Sequence, residues 1–215
     1  MAQDAATKAY VDNAVIKYFL SLPNGIQVIL NAGESPLNII NAGAPLTDFI
    51  GLNHAGGIIF YMNPNSDGTG YVAAPSDQST GAEWGCDGTD LPNVTNVTSD
   101  PPIGSGAEIG DGSTNTSNII VDCPTAPAAL ACTQYNGGGF SDWFLPSAGE
   151  LNEMYLKIGQ GAGSPNTNIG NFADSFYWSS SEFDGNFAWG QIFVDGFQAD
   201  GDKDDVNPVR AIRAF

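Results

Sequence analysis

Basic residues are scarce: 6 Lys and Arg stand against 24 Asp and Glu, giving a formal net charge of -18 over 215 residues. Attraction to nucleic acid rests largely on Lys and Arg placed at phosphates, so no nucleic-acid partner is expected. Polyanionic sugars and anionic membranes are disfavoured on the same ground. Metal cations, neutral sugars and proteins remain. His54 is the only His, and the three Cys form no Cys-x-x-Cys pair, which argues against a zinc site. Charged residues of both signs make up only 14% of the chain, so Gly, Ser, Thr and Asn must cover much of the surface. There is no long apolar run and mean hydropathy is -0.10, so no membrane insertion is expected. No basic stretch leads into an apolar core at the start, so no signal peptide is expected either. Cys123 and Cys132 bracket a Pro-broken segment that a local disulfide would staple, leaving Cys86 over; three reduced thiols are the alternative.

What the chain does hold is 27 Gly, 13 Pro and 42% hydrophobic residues, enough for one core wrapped in many loops. The clearest local signal lies at Ser147–Ile158. Ser147 can cap a helix and Glu150 can return the bond, a capping box. Leu151, Met154, Tyr155 and Ile158 then fall on one helical face. Gly57–Met62 predicts a central strand, apolar on both faces, turning through residues 63–70 into a hairpin partner at Tyr71–Ala74. Residues 75–114 predict a long excursion with little regular structure, and 118–121 and 126–131 short turns of helix. Strands are expected at 177–182, 187–193 and 209–215, with a polar, turn-rich insert at 195–205.

The N-terminal part predicts a helix over residues 4–20, with Val11, Val15 and Tyr18 spaced as a coiled-coil seam. The words Ala6–Asn13 resemble the helix that precedes trimeric heads in phage tail fibres and related bacterial surface fibres. Residues 25–50 carry two β-rich apolar runs broken by Gly and Pro, Ile26–Leu30 and Ile39–Ile40, read as a neck of small strands. The domain expectation is a trimerising coiled-coil helix over 1–24, a β-rich neck over 25–50 and a head over 51–215.

Seven words in the head resemble one family in the same order. They are Ala55–Tyr61, Val72–Asp77, Glu83–Cys86, Asp142–Ser147, Glu150–Asn152, Tyr177–Glu182 and Val209–Phe215. The family is the C-terminal domain of bacterial collagen-like adhesins, the Lcl C-terminal domain. It is similar to the C-type-lectin-like fold of formylglycine-generating enzymes and of variable proteins in diversity-generating retroelements. The resemblance implies an α+β, C-type-lectin-like head. It would hold a mostly antiparallel twisted sheet, one or two helices and long loops, with the first strand near the last. It also implies a homotrimer that binds a cell-surface protein or glycan receptor, at a bacterial surface or in a virion tail fibre. Family heads that bind sulfated polysaccharide need a basic surface, so that ligand class does not carry over.

Catalysis needs a nucleophile, a base or a metal. Formylglycine-generating enzymes use paired Cys late in the chain, and no Cys follows Cys132 here. His54 has no nucleophile motif beside it, and Ser179-Ser180-Ser181 is not a Gly-x-Ser-x-Gly elbow. The chain is therefore expected not to be an enzyme and to need no cofactor. Calcium at the turn 63–70, or at Asp200, Asp202, Asp204 and Asp205, is the metal that the acidic turns would suit. A binding head would use loop residues around its last strands. The candidates are Glu182, Phe183, Asp184, Asn186, Phe187, Gln191, Phe193, Asp195, Phe197, Gln198, Asp200, Asp202 and Asn207, with Lys203 and Asp204 between them. Arg210, Arg213, Trp143, Trp178 and Trp189 are read as structural. A passive structural cap of a fibre is the first alternative to a binding head, and an enzyme similar to the formylglycine-generating enzymes the second.

Overall fold

The computed structural model describes residues 18–21, 27–30, 36–41 and 43–215. The chain is α+β. In order it forms β1 (Tyr18–Ser21), β2 (Gln27–Leu30), α1 (Leu37–Asn41), a 3-10 turn at Leu46–Phe49, β3 (Asn53–His54), β4 (Gly57–Met62), β5 (Gly70–Ala73) and β6 (Ser79–Ala82). There follow α2 (Gly112–Asp122), α3 (Pro127–Thr133), α4 (Ala148–Ile158), β7 (Phe176–Glu182), β8 (Phe187–Ile192), β9 (Gln198–Asp202), β10 (Asn207–Val209) and β11 (Ile212–Ala214). All pairings between strands are antiparallel. One sheet runs β11-β5-β4-β3 and another β7-β8-β9, with two-stranded pairs β10-β6 and β1-β2.

β4 is buried on both faces, as its sequence predicts. Ile58 and Phe60 enter one core cluster with Leu151, Met154 and Ile158 of α4; Ile59 and Met62 enter another with Trp84, Trp143 and Trp178. The α4 face also meets Tyr177 and Phe193 from the β7–β8 side, so one helix packs against both larger sheets. Its start is fixed locally: the Glu150 amide donates to Ser147 Oγ at 3.2 Å and the Ser147 amide to Glu150 Oε2 at 2.8 Å, completing the predicted capping box. All four Trp rings are buried, and each indole N–H donates to a backbone carbonyl: Ser179, Gly137, Ala82 and Val97 for Trp84, Trp143, Trp178 and Trp189. A buried indole needs that partner to offset its lost hydration.

Several expectations are corrected. Of the helix expected over residues 4–20, only residues 18–20 are described; with Ser21 they form a strand paired with β2, and the Val11 and Val15 seam positions lie outside the described residues. Ile39 and Ile40 sit in α1 rather than a strand. α2 is longer than predicted from a run rich in Ser, Thr and Asn. Tertiary bonds hold it: the Leu145 amide donates to Thr116 Oγ1 at 3.1 Å and Asn115 Nδ2 to the Gly106 carbonyl at 2.7 Å. The insert at 195–205 contains β9. Phe176 and Trp178 lie across the sheet where β8 and β9 supply Gly190 and Gly201. A Cβ on Gly190 would come within 2.3 Å of the Phe176 ring, and one on Gly201 within 2.9 Å of Trp178. Glycine in a strand here marks a close approach of ring to backbone rather than a turn.

The disulfide joins Cys86 to Cys123, not Cys123 to Cys132. The Ala128 amide donates to the Glu83 carbonyl at 3.0 Å, which anchors the segment before Cys86 beside α3. Cys86 then meets Cys123 at the C-terminal end of α2, with Cα atoms 6.1 Å apart. Cys132 is free and wholly buried in α3, and burial pushes its thiol well above the ordinary value. The bridge spans a sequence separation of 37, a closure worth about 4 kcal/mol on the chain-entropy scale.

Candidate functional site

The candidate residues concentrate in the three-stranded sheet, but they do not form one cluster. β8 runs between two hairpin turns. Phe183, Asp184 and Asn186 occupy the β7–β8 turn and Phe187 opens β8; Asp195 and Phe197 occupy the β8–β9 turn and Gln198 opens β9. At ~3.4 Å per residue, the six residues of β8 put these two groups about 17 Å apart. Asn207 lies in β10, paired with β6 and outside this sheet.

Four candidates, Glu182, Gln191, Phe193 and Lys203, are fully buried, which corrects the expectation that they reach a ligand. Phe193 is core, with its ring 4.7 Å from Tyr177 and 4.6 Å from Phe172. Gln191 is clamped by its own amide, which donates to Asn152 Oδ1 at 2.9 Å and to the Gly196 carbonyl at 3.0 Å. Glu182 is buried with Lys203, and neither side chain is exposed. Lys203 Nζ donates to Glu182 Oε1 and to the Thr89 carbonyl, and stands 4.8 Å over the Trp84 ring. Burial raises the Glu182 pKa, while the hydrogen bond and charge of Lys203 oppose that rise. The sequence shows a lone Lys among Asp residues there; only the fold shows that it turns inward.

The remaining candidates are wholly or partly accessible. Phe197 is 60% exposed and Val194 beside it 56%. Asp195 Oδ1 accepts from the Phe197 amide at 3.0 Å and fixes the turn that presents the ring. Asp184 Oδ1 does the same in the other turn, accepting from the amides of Asn186 and Phe187. Phe183 is half-buried, its ring edge-on to Trp189 at 5.7 Å. Residues paired across β8 and β9 share a sheet face, so Phe187 and Trp189 stand beside Asp202 and Asp200, and Gln191 beside Gln198. Trp189 and Gln191 are covered, while Asp200 and Asp202 are exposed.

The cations take the opposite course. Arg210 donates to Asp77 Oδ1 at 2.7 Å and to the carbonyls of Ala74 and Gly170, over the Phe172 ring. Arg213 holds Asp142 through two bonds of 2.7 and 2.8 Å and stacks on Phe140. Both Arg are structural, as read from the sequence. Among the described residues Lys157 is the one exposed cation, 3.9 Å from Glu153.

Other possible chemistry is absorbed into the scaffold. His54 is half-buried with its ring 4.8 Å from Phe215; burial, then the Arg213 charge, lowers its pKa. Ser179, Ser180 and Ser181 are buried: Ser179 Oγ donates to the Trp189 carbonyl and Ser181 Oγ to that of Gly106, while Ser180 Oγ accepts from Asn115. In the turn 63–70, Asp67 accepts from Thr69 and Asn63. Among the described residues no group of three or more His, Cys, Asp or Glu is placed to hold a metal ion. No described helix is long and apolar enough to cross a membrane.

No family model matches the chain. No curated protein matches it either. Among solved structures, a fimbrial protein from Bacteroides ovatus ATCC 8483 is similar, with a TM-score of 0.40 and 15% identity over 93% of this chain. The match covers 48% of that protein, so the chain spans about half its length.

Proposed function

We propose that the chain is a non-catalytic, ligand-binding head of a trimeric surface or tail fibre, carried outside the cell or on a virion. The observation that carries the reading is the contrast around β8. A sheet fixed by buried aromatics and a buried ion pair presents exposed or half-buried Phe183, Asn186, Phe197, Asp200 and Asp202 at its edge and turns. Rigid strands that display polar and aromatic loop side chains are a common form of recognition surface. The resemblance to the Lcl C-terminal domain supports a C-type-lectin-like head. So does the meeting of the two ends of the head: the Phe215 ring lies 4.8 Å from that of His54 in β3, and Arg213 Nη1 donates to the Ala55 carbonyl at 3.1 Å. Trimerisation falls to residues 1–24. Light scattering is expected to return a trimer. In cell-binding and glycan-array assays, the combined Phe183→Ala, Asn186→Ala and Phe197→Ala variant is expected to lose about tenfold or more in affinity. A monomer removes the fibre; unchanged binding by the variant removes the site and leaves a passive cap.

A further inference from the structure

β9 is an open sheet edge. It pairs with β8 and with no other described strand. The Lys203 amide donates to the Asn186 carbonyl at 2.9 Å and the Ile192 amide to the Phe197 carbonyl at 2.8 Å. Antiparallel ladders alternate, so Phe197, Ala199 and Gly201 turn their backbone toward β8, as does the Lys203 amide; the Lys203 carbonyl, past the end of β9, accepts from the amides of Trp84 and Gly85. Gln198, Asp200 and Asp202 turn theirs away. The Asp202 carbonyl accepts from the Asp205 amide, while the outward amides and carbonyls of Gln198 and Asp200 meet no partner among the described residues.

We propose that β9 receives a fourth strand from a partner protein, an extended segment in which Lys or Arg alternates with apolar residues. Strand addition takes affinity from main-chain bonds and specificity from alternate side chains. Residues on one face of the incoming strand would lie beside Asp200 and Asp202, which no cation of the described chain neutralises. Those positions select Lys or Arg. Residues on the other face would lie beside Ala199 and Gly201, next to the Trp178 ring, and select apolar side chains. A second copy of β9 is a poor occupant, because it would set Asp against Asp across the new ladder, and like charges there are destabilising. Natural edges are often guarded by charge; here the guard is of one sign and admits the opposite one. The inference rests on reading this sheet as the recognition surface and names what it recognises.

The test uses the whole chain and three peptides: alternating Lys and Val, the same composition in two blocks, and alternating Glu and Val. Fluorescence anisotropy is expected to show the alternating Lys–Val peptide binding about tenfold or more tighter than either control. Hydrogen exchange is expected to slow at the amides of Gln198 and Asp200 in its presence. Asp200→Pro removes the outward N–H at an edge position where proline is tolerated, and abolishes the discrimination. Asp200→Asn with Asp202→Asn weakens binding without touching the backbone, whereas Asp100→Asn with Asp174→Asn leaves it unchanged. Equal binding of the blocked and alternating peptides overturns the proposal, as does equal loss in the remote pair, since either result reduces it to diffuse attraction. If the Phe183, Asn186 and Phe197 variant loses cell binding but the peptides are not discriminated, this inference falls and the proposed function stands.

Discussion

The terminal segment Val209–Phe215 carries Arg210 and Arg213, and both side chains are buried against a carboxylate and an aromatic ring. β9, a few residues earlier, carries Asp200 and Asp202, and both stand exposed with no cation beside them. The two segments are alike in sequence, short and charged at every second or third position. What separates them is the supply of partners. Three of the four described cations are taken inward by Glu182, Asp77 and Asp142. A buried charge persists only when paired and hydrogen-bonded, so the scarce cations are committed to the scaffold. The edge is left purely acidic. The net charge of -18 comes from 24 acids against 6 Lys and Arg; because three of those cations are paired inside, the charge left on the surface is almost all acidic.

The largest expected effect lies on the buried side of that contrast. Lys203→Met leaves Glu182 uncompensated in a site where its Oε2 already has no partner. Loss of about 3–5 kcal/mol is expected in urea denaturation. Adding Glu182→Met should return much of it, because the unpaired charge goes with it. Lys157→Met, at the exposed cation, should change stability by no more than about 0.5 kcal/mol. Equal losses at Lys203 and Lys157 would erase the distinction between the two regions.

Local chemistry made the scaffold legible. The Ser147–Glu150 box and the apolar face behind it need only neighbours in sequence, and α4 begins where they place it. Gly57–Met62 reads as a strand buried on both faces and is one. The misses are positions that distant residues decide. Cys86 reaches Cys123 because the segment at Glu83 is anchored on α3. β9 looks like a turn-rich insert, yet its Gly201 is where the Trp178 ring lies against the strand. Alternation alone leaves the direction of each candidate open. Gln191 and Phe193 turn inward because Asn152 and Tyr177 are there to receive them, and Glu182 and Lys203 because they receive each other, with the Trp84 ring under the ammonium. Phe197 turns outward on a tight turn.

A second way to sharpen the contrast is pH. Glu150 is a buried carboxylate with no cation, held by the amides of Ser147 and Gly110. Burial pushes its pKa up from 4.5 to about 7, against the pull of those two amides. The folded state therefore binds this proton more tightly than the unfolded chain does. Its contribution is fully present below pH 4.5 and is lost as pH rises toward about 7, a fall on the order of 3 kcal/mol. His54, whose pKa is lowered from 6.5, changes stability in the opposite sense over part of that window. The informative measurement is the difference between the wild-type and Glu150→Gln stability profiles. That difference should slope between pH 4.5 and 7; a flat difference would mean that Glu150 folds as readily charged as neutral.

The smallest expected effect is at the edge itself. Asp202 is exposed, and its pKa is raised first by desolvation and then by Asp205, Asp204, Asp87 and Asp200. These carboxylates repel one another and stabilise nothing in the chain. Asp200→Asn with Asp202→Asn should leave the thermal midpoint unchanged or slightly raised, and added salt should shrink the difference, since exposed charges are screened. A clear fall in the midpoint would mean that the acidic edge has a structural partner within the molecule. β9 would then belong with the buried pairs of the terminal segment rather than opposite them, and its charge would no longer be free to select a basic strand.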